Sequence, residues 1–395
     1  MSEAYIIDIV RTPIVRVKRD GSQYTSVHPA DLMAVPLRAL VERNGFDPAL
    51  VDDVIGGCVT QIGRQSNNIT RSAVLAAGFP ESVPATTVDR QCGSSMQAVA
   101  FGAQGIQAGA YDLVIAAGVE SMSTTAMFSN KNGEDPFGPT VAERYTGGGL
   151  VEQGISAELI AARWGLSRAD MDAYSLQSHQ RAAAAQSAGT LAKQIVPVTL
   201  PDGTVVTADD GIRADSSLEA LAGLKPAFVN EDAVARFSEI DWSVTAGNAS
   251  QISDGASAIL IASAETVERL GLKPRARIVA SAVIGDDPVE MLSAVIPVTA
   301  KALAKAGLTI DDIDAFEVNE AFAAPVLAWL KDTGADVAKV NQNGGAIALG
   351  HPLGASGGRL LASLLTTLEE TGGRYGFQTM CEAGGLANAL IIERL

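Results

Sequence analysis

Cys92 is the residue of this chain whose type and position most directly suggest covalent chemistry. It follows a strand-like stretch, residues 85–88, and precedes a run of small and apolar residues from Ser94 that predicts a buried helix. A thiol just before a helix lies near unpaired backbone N–H groups and the positive end of the helix dipole, which both favour the thiolate. Cys92 is therefore a candidate nucleophile. The alternative is an inert buried cysteine.

His351 is the candidate base. It lies in a glycine-rich segment, residues 343–358, and so many glycines suggest that the backbone approaches a ligand closely there. A second small, apolar helix is predicted after it, so His351 precedes this helix as Cys92 precedes the first. Two helix N-termini would then face one pocket, where a histidine can activate a thiol. His28 and His179 are expected at surface or structural positions.

Two other cysteines complete the set of thiols. Cys381 follows a predicted strand and begins a glycine-rich turn, which is where sites gather in α/β proteins; a core position is the alternative. Cys58 is expected in the core. The glycines of residues 344–358 match neither a P-loop, because no Lys-Ser/Thr follows, nor a dinucleotide fingerprint.

Composition excludes several classes of protein. The chain has 395 residues with 29 basic and 45 acidic side chains, a net charge of −16, and shows no basic patch of the kind that binds nucleic acid. Three cysteines are too few for a disulfide scaffold, so reduced thiols are expected. Neither a signal peptide nor a membrane-spanning run is recognisable, and the cytoplasm is the expected location.

The chain repeats itself loosely. Helix-plus-glycine segments at residues 37–45 and 301–307 are each followed by an acidic turn and an apolar run, and each half has a strand followed by a buried helix. The pattern predicts an α/β fold of two duplicated βαβ halves, stacked as five layers in the order α/β/α/β/α. Two unrelated Rossmann-like domains are the alternative.

The polar stretch between the halves predicts an inserted loop or lid domain. The expected units are residues 1–118, completed by 246–270; the inserted domain, 119–245; and the second half, 271–395.

Several segments together resemble the thiolase family, in the same order and over nearly the whole chain. They are 89–95 around Cys92, 319–323 (Asn-Glu-Ala-Phe-Ala), 341–358 with its Gly-His-Pro, 381–385, and the shorter segments 11–13 and 245–250.

The resemblance implies a role for each matching residue. Cys92 would carry the acyl group, His351 would activate it, and Cys381 would act as general acid and base. Asn319 would hold a water that joins His351 in one oxyanion hole, and the backbone N–H groups of Cys92 and Ala383 would form a second.

The resemblance also implies contacts with the CoA thioester. Ser250 would contact the pantetheine arm, and Arg213 the nucleotide end. Phe322 and Gln153 complete the expected substrate-binding residues. CoA and acyl-CoA would be substrates, with no metal and no permanently bound cofactor, and the family implies a homodimer or homotetramer.

Some positions depart from the family pattern. Ser95 and Ala383 replace glycines, and Glu382 puts a carboxylate beside Cys381, where it either raises the pKa of that thiol or faces away; we expect it to face away. Residues 152–154 read Glu-Gln-Gly in place of the His-Met-Gly of short-chain thiolases, which favours longer or bulkier substrates.

The predicted function is degradative thiolysis of a 3-ketoacyl-CoA. The alternatives are a biosynthetic acetyl-CoA acetyltransferase, a decarboxylating condensing enzyme, and a non-catalytic acyl-CoA-binding protein on the same scaffold. The second thiol and the Asn-Glu-Ala-Phe segment argue against the condensing enzyme.

Overall fold

The computed structural model describes residues 3–145 and 147–395. The described strands are β1 (Ala4–Arg11), β2 (Val15–Arg16), β3 (Asp53–Gly57), β4 (Ala85–Val88), β5 (Leu113–Ser121), β6 (Val198–Thr199), β7 (Val205–Val206), β8 (Ser253–Ser263), β9 (Ala276–Gly285), β10 (Ala315–Val318), β11 (Tyr375–Glu382) and β12 (Leu386–Arg394). The described α-helices are α1 (Pro29–Asn44), α2 (Ile69–Ala76), α3 (Ser94–Gln107), α4 (Gly138–Arg144), α5 (Gln153–Arg163), α6 (Arg168–Ser187), α7 (Leu218–Ala222), α8 (Glu231–Arg236), α9 (Ala264–Leu270), α10 (Val295–Ala306), α11 (Ala323–Thr333), α12 (Ala346–Leu349) and α13 (Leu353–Thr371).

Strand order confirms the duplication. The first half runs β4-β3-β5-β8-β1, with parallel pairing among β4, β3 and β5 and antiparallel pairing at β8 and β1. The second half runs β10-β11-β12-β9 with the same pairing directions, and a parallel bridge between Phe316 and Val340 stands where the first half has β4. Two Rossmann-like domains are excluded, because each half-sheet mixes parallel and antiparallel strands.

The two half-sheets also meet at one edge. Tyr5 and Ile6 of β1 pair with Arg277 and Ala276 of β9, so hydrogen bonding continues from one half-sheet into the other. This pairing was not predicted, because the sequence of an edge strand does not identify its neighbour.

Three clusters of buried apolar side chains pack the five layers together. One cluster joins α1 and α2 to the first half-sheet, and another joins α10 and α11 to the second. The middle cluster lies between the half-sheets and contains the apolar faces of α3 and α13. The predicted layered α/β fold is therefore confirmed, with the two buried helices in its central layer.

The polar stretch between the halves forms helices, loops and the short two-stranded sheet of β6 and β7. A buried ion pair ties it to the first strand: Arg11 donates to Asp209 through both terminal nitrogens, at 2.7 and 2.9 Å. The expected unit boundaries stay predictions; β5 itself continues to Ser121. Within the described residues, no helix is long and apolar enough to cross a membrane.

Candidate active site

The N-termini of α3 and α13 meet in the central layer. A Cβ added at Gly357 would lie 2.3 Å from the backbone nitrogen of Met96, so only glycine permits this approach. Nearby, the backbone N–H of Gly358 donates to Ser95 Oγ at 3.1 Å. Cys92 and His351 each stand just before one of these helices, as the sequence predicted. Ser95, a departure from the family glycine, thus contributes a contact between the helices.

Hydrogen bonds fix the tautomer of His351. The hydroxyl of Ser356 donates to the carbonyl of Pro352 at 2.9 Å, and its oxygen lies 2.6 Å from His351 Nδ1. Since a serine has one proton to donate, Nδ1 must donate to Ser356 Oγ. Nε2 is then unprotonated, and it lies 3.3 Å from Asn319 Nδ2, which donates to it. The unprotonated nitrogen, whose lone pair a base requires, is therefore Nε2.

The ring of His351 is held neutral by its surroundings. Burial lowers its pKa to about 3, and the nearby positive charge of Arg359 acts in the same direction. The segment around His351 is also fixed in position, because the N–H of Gly354 donates to the buried carboxylate of Glu120 at 2.9 Å. Glu120 also accepts from the N–H groups of Val59 and Thr60, at 3.0 Å each.

Burial favours the protonated form of both Cys92, just before α3, and Cys381, on β11. Burial raises the pKa of Cys92 well above its ordinary value, and Cys381 and Glu382 add to the effect, whereas a hydrogen bond from the Gln153 side chain lowers it. Burial also raises the pKa of Cys381 to about 12. Cys92 and Cys381 are therefore close enough to affect each other, and ionisation of Cys92 requires a base.

A cavity of about 160 Å³ adjoins these residues. It brings together four of the predicted site residues: Gln153, Ser250, Phe322 and His351. Gln153 lines the cavity and is close enough to Cys92 to lower the pKa of that thiol, so the nucleophile candidate lies near the cavity wall. Cys92, Cys381 and Asn319 do not line the cavity and are at most 3% exposed.

Asn319 has unused hydrogen-bonding capacity. Its Oδ1 atom is buried and has no hydrogen-bond partner among the described residues. A buried carbonyl oxygen of this kind is normally paired, either with protein or with water. The amide can thus accept from a water at the site while its nitrogen holds His351.

Ser250 and its neighbour Gln251 connect the cavity to the insertion. The backbone N–H of Ser250 donates to Ala321 at 2.8 Å. Gln251 Nε2 donates to the carbonyls of Gly211 and Ile347, at 2.9 and 2.8 Å. Gln251 therefore holds the insertion against the segment that carries His351, while Ser250 keeps its side chain at the cavity.

Arg213 lies away from the cavity wall. Its backbone N–H donates to Nδ1 of the buried His179 at 3.1 Å, which gives that histidine a structural role. Partial burial lowers the pKa of Arg213, and the charge of Arg16 lowers it further. Arg16 is therefore close enough to act on Arg213, and Asp215 acts on Arg213 in the opposite direction.

Ala383 lies in the turn between β11 and β12. The positive φ angles of this turn fall on Gly384 and Gly385, at 83° and 76°, and not on Ala383. The alanine therefore fits this turn without a left-handed backbone.

The expectation for Glu382 was wrong. The side chain is on the opposite face of β11 from Cys381, but it does not point away from the site: its carboxyl is buried against Gly93, the residue after Cys92, and would be 1.9 Å from a Cβ at that glycine. It raises the pKa of both Cys92 and Cys381. The error arose because the direction of this side chain depends on a helix that lies almost 300 residues earlier in the chain.

Several lining residues were not predicted. Phe228 contacts Phe322 edge to face, with ring centroids 5.8 Å apart, and Met122, Met127 and Phe128 line the same cavity. They lie in or beside the insertion, where no periodic pattern marked them. In the described part of the chain, no group of three or more His, Cys, Asp or Glu residues could hold a metal ion.

Known proteins are similar to this chain in sequence and in fold. The family model for the thiolase N-terminal domain matches residues 4–265, and that for the thiolase C-terminal domain matches residues 272–394. A steroid 3-ketoacyl-CoA thiolase of Mycobacterium tuberculosis is 51% identical, over 100% of this chain and 95% of that protein. A beta-ketoadipyl-CoA thiolase of Acinetobacter baylyi is 45% identical over 100% of each chain.

A solved structure agrees with these matches. The crystal structure of the Bacillus anthracis acetyl-CoA acetyltransferase has a TM-score of 0.89 and 37% sequence identity, and the match covers 100% of this chain and 99% of that chain. Together with the duplicated sheet and the motifs around Cys92 and His351, these similarities show that the chain belongs to the thiolase family and is an acyltransferase.

Proposed function

We propose that this protein is a degradative thiolase, which uses CoA to cleave a 3-ketoacyl-CoA into acetyl-CoA and a shortened acyl-CoA. The observation that carries the proposal is that His351, with its Nε2 unprotonated, lines a cavity together with Gln153, and that Gln153 and Cys381 both act on the pKa of the buried Cys92 thiol. Breaking the bond between C2 and C3 needs a nucleophile, a base and a proton donor, and these residues supply all three. Relatives named as 3-ketoacyl-CoA and beta-ketoadipyl-CoA thiolases support this direction.

In the first half-reaction, His351 Nε2 takes the proton of Cys92, and the thiolate attacks the C3 carbonyl. A bond forms between sulfur and C3, and the bond between C2 and C3 then breaks. Its electron pair passes to C2 and the thioester oxygen as an enolate. Cys381 gives its proton to C2, so acetyl-CoA leaves and Cys92 keeps the acyl group.

In the second half-reaction, the Cys381 thiolate takes the proton of an incoming CoA thiol. The CoA sulfur attacks the acyl carbonyl on Cys92, and the Cys92 sulfur leaves. His351 returns its proton to Cys92, which restores both thiols.

Negative charge develops on oxygen in both half-reactions, so the site needs hydrogen-bond donors aimed at it. We assign one oxyanion hole to the protonated His351 Nε2 and a water held by Asn319. The backbone N–H groups of Cys92 and Ala383 would form the other. The unpaired Asn319 Oδ1 supports the first assignment.

The acyl chain is proposed to be long or bulky. A second, open cavity of about 840 Å³ lies beside the first, and Glu152 and Phe228 line both. The inner cavity alone, at about 160 Å³, suits an acetoacetyl group and favours the biosynthetic alternative. A larger acyl group would have to pass Phe228 to reach the open cavity. The ring of Phe228 would therefore control whether long or bulky acyl groups can bind in addition to acetoacetyl groups.

Replacing Phe228 with alanine tests this assignment. Wild-type protein should cleave a bulky branched 3-ketoacyl-CoA with higher kcat/KM than acetoacetyl-CoA, and Phe228→Ala should raise that ratio by about tenfold because it widens the passage. Phe101→Ala is the control, since Phe101 is 40% exposed on α3 and lines neither cavity. A wild-type preference for acetoacetyl-CoA would instead establish the biosynthetic function.

The other end of the substrate is proposed to lie near the two arginines. Arg213 and Arg16 would bind phosphates at the nucleotide end of CoA, and Ser250 would contact the pantetheine arm between them and the cavity. The mutual repulsion of the arginines supports this, because a phosphate would relieve it.

A homo-oligomer, either a dimer or a tetramer, is also proposed. β4 is the last strand of its half-sheet, and the side chain of Thr86 at its middle is exposed. Such an edge is a template for pairing with another chain.

A further inference from the structure

Glu382 and Asn388 form a buried pair that the reaction described above does not use. Glu382 ends β11, Asn388 lies on β12, and the pairing of Met380 with Asn388 and of Glu382 with Leu386 puts both side chains on one face of the hairpin. Cys381, between them in register, points to the opposite face. The face with Glu382 packs against the start of α3, where Gly93 follows the nucleophile.

The oxygens of this pair meet at Gly93. Glu382 Oε1 and Asn388 Oδ1 lie 1.9 and 2.8 Å from a single point, the position that a Cβ at Gly93 would occupy. Asn388 Nδ2 donates to the Gly93 carbonyl at 3.0 Å. Glycine is required at this position, since any side chain would displace the Glu382 carboxyl.

Three oxygens of the pair have no partner. Both carboxyl oxygens of Glu382 and Oδ1 of Asn388 are buried without a hydrogen bond in the described part of the chain. A carboxylate has no proton to donate, so an ionised Glu382 would leave all three unpaired, at a high cost in a buried site. A protonated carboxyl supplies the missing donor to Asn388 Oδ1.

We propose that Glu382 is a neutral carboxylic acid in the resting enzyme, which donates its proton to Asn388 and so positions Gly93 while it places no charge beside the nucleophile. The chain of hydrogen bonds would run from Glu382 to Asn388 and on to the Gly93 carbonyl, which also accepts from the N–H of Gln97 in the first turn of α3. Glu382 is thus a positioning residue that acts through Asn388. The inference rests on the proposed role of Cys92 as nucleophile.

The charged surroundings of Glu382 agree with a neutral resting state. Burial raises its pKa to about 9; Arg90 lowers the pKa and Asp89 raises it, both from the segment before α3. Two further titratable groups are affected by Glu382: an ionised carboxylate would raise the pKa values of Cys92 and Cys381. Below about pH 9 the acid is therefore neutral, and above it the new charge opposes formation of either thiolate.

The protonation state is tested by the rate at which iodoacetamide alkylates Cys92 between pH 6.5 and 10, with the modified peptide identified by mass spectrometry. Wild-type protein is compared with Glu382→Gln and Glu382→Met, which are neutral at every pH; either variant that folds suffices. The ratio of variant to wild-type rates should be about 1 below pH 8 and rise to about 5 by pH 10, toward the limit of about 10 that corresponds to one pKa unit at Cys92. A ratio that is independent of pH, or one already well above 1 at pH 7, would overturn the proposal.

The positioning role is tested by kcat for thiolysis at pH 7.5. Glu382→Gln keeps a donor for Asn388, so its kcat should match that of wild type. Glu382→Met and Asn388→Leu should each lower kcat about fivefold. The double variant with both of these substitutions should lower kcat no further, since each breaks the same chain of hydrogen bonds. Full activity of Glu382→Met, or losses that multiply, would contradict this. If Cys92→Ser still turned over, the nucleophile assignment would fail, whereas the alkylation ratio would still report the state of Glu382.

Discussion

Cys92→Ser is expected to abolish thiolysis, with kcat/KM lower by about 10⁴-fold or more, because a serine hydroxyl in this site is far harder to ionise than a thiol and a poorer nucleophile. Burial already raises the pKa of the Cys92 thiol, and the same burial would make a serine hydroxyl, which is a weaker acid, still harder to ionise. The measurement is steady-state thiolysis of a 3-ketoacyl-CoA with CoA.

Cys58→Ala is the matched control for this substitution. Cys58 is as buried as Cys92, at 0% exposed, but it belongs to the cluster between α1 and the first half-sheet. Its variant should keep activity within about threefold and lose only stability, because a small core side chain has been shortened. Comparable losses in both variants would mean that the Cys92 effect is structural.

His351→Ala is expected to lower kcat by about 10³-fold, the size of effect that a positioned general base contributes. The reason is specific to this site: burial favours the protonated form of both thiols, and Nε2 is the unprotonated ring nitrogen, held by Asn319. Ser356→Ala is the variant to compare with His351→Ala. It keeps the ring but removes the acceptor of the Nδ1 proton, so a smaller loss of about tenfold is expected.

The two variants should respond differently to added imidazole. Added imidazole should restore part of the activity of His351→Ala, because the base itself is missing, and none of the activity of Ser356→Ala, where the base is present but poorly oriented. If His351→Ala retained kcat within about tenfold of wild type, the assignment of the base would be wrong.

The sequence revealed the parts of this site that depend on local chain order. Cys92 and His351 were found because each precedes a helix of small residues, and the internal repeat related the two positions. The layered fold followed from the same repeat and is confirmed by the matching strand orders. These features are set by periodicity over short segments, which one sequence displays directly.

The predictions that failed, and the features that were not predicted, concern contacts between distant segments of the chain. Glu382 was expected to face away, but its direction is set by Gly93 and by the register of β11 and β12. Phe228 lies in the insertion, and nothing in its neighbours indicates that its ring meets Phe322. Cavity walls and buried polar pairs arise from tertiary packing, so local pattern cannot locate them.

The most direct test of the proposed mechanism is to trap the acyl-enzyme. Full-length protein is mixed with a 3-ketoacyl-CoA in the absence of free CoA, quenched in acid, and analysed by intact mass and peptide mapping. The expected product is one acyl group per chain, shorter than the substrate acyl group by the acetyl unit and located on the peptide with Cys92, and this group should disappear when CoA is added. An adduct on Cys381, or turnover without any adduct on Cys92, would contradict it.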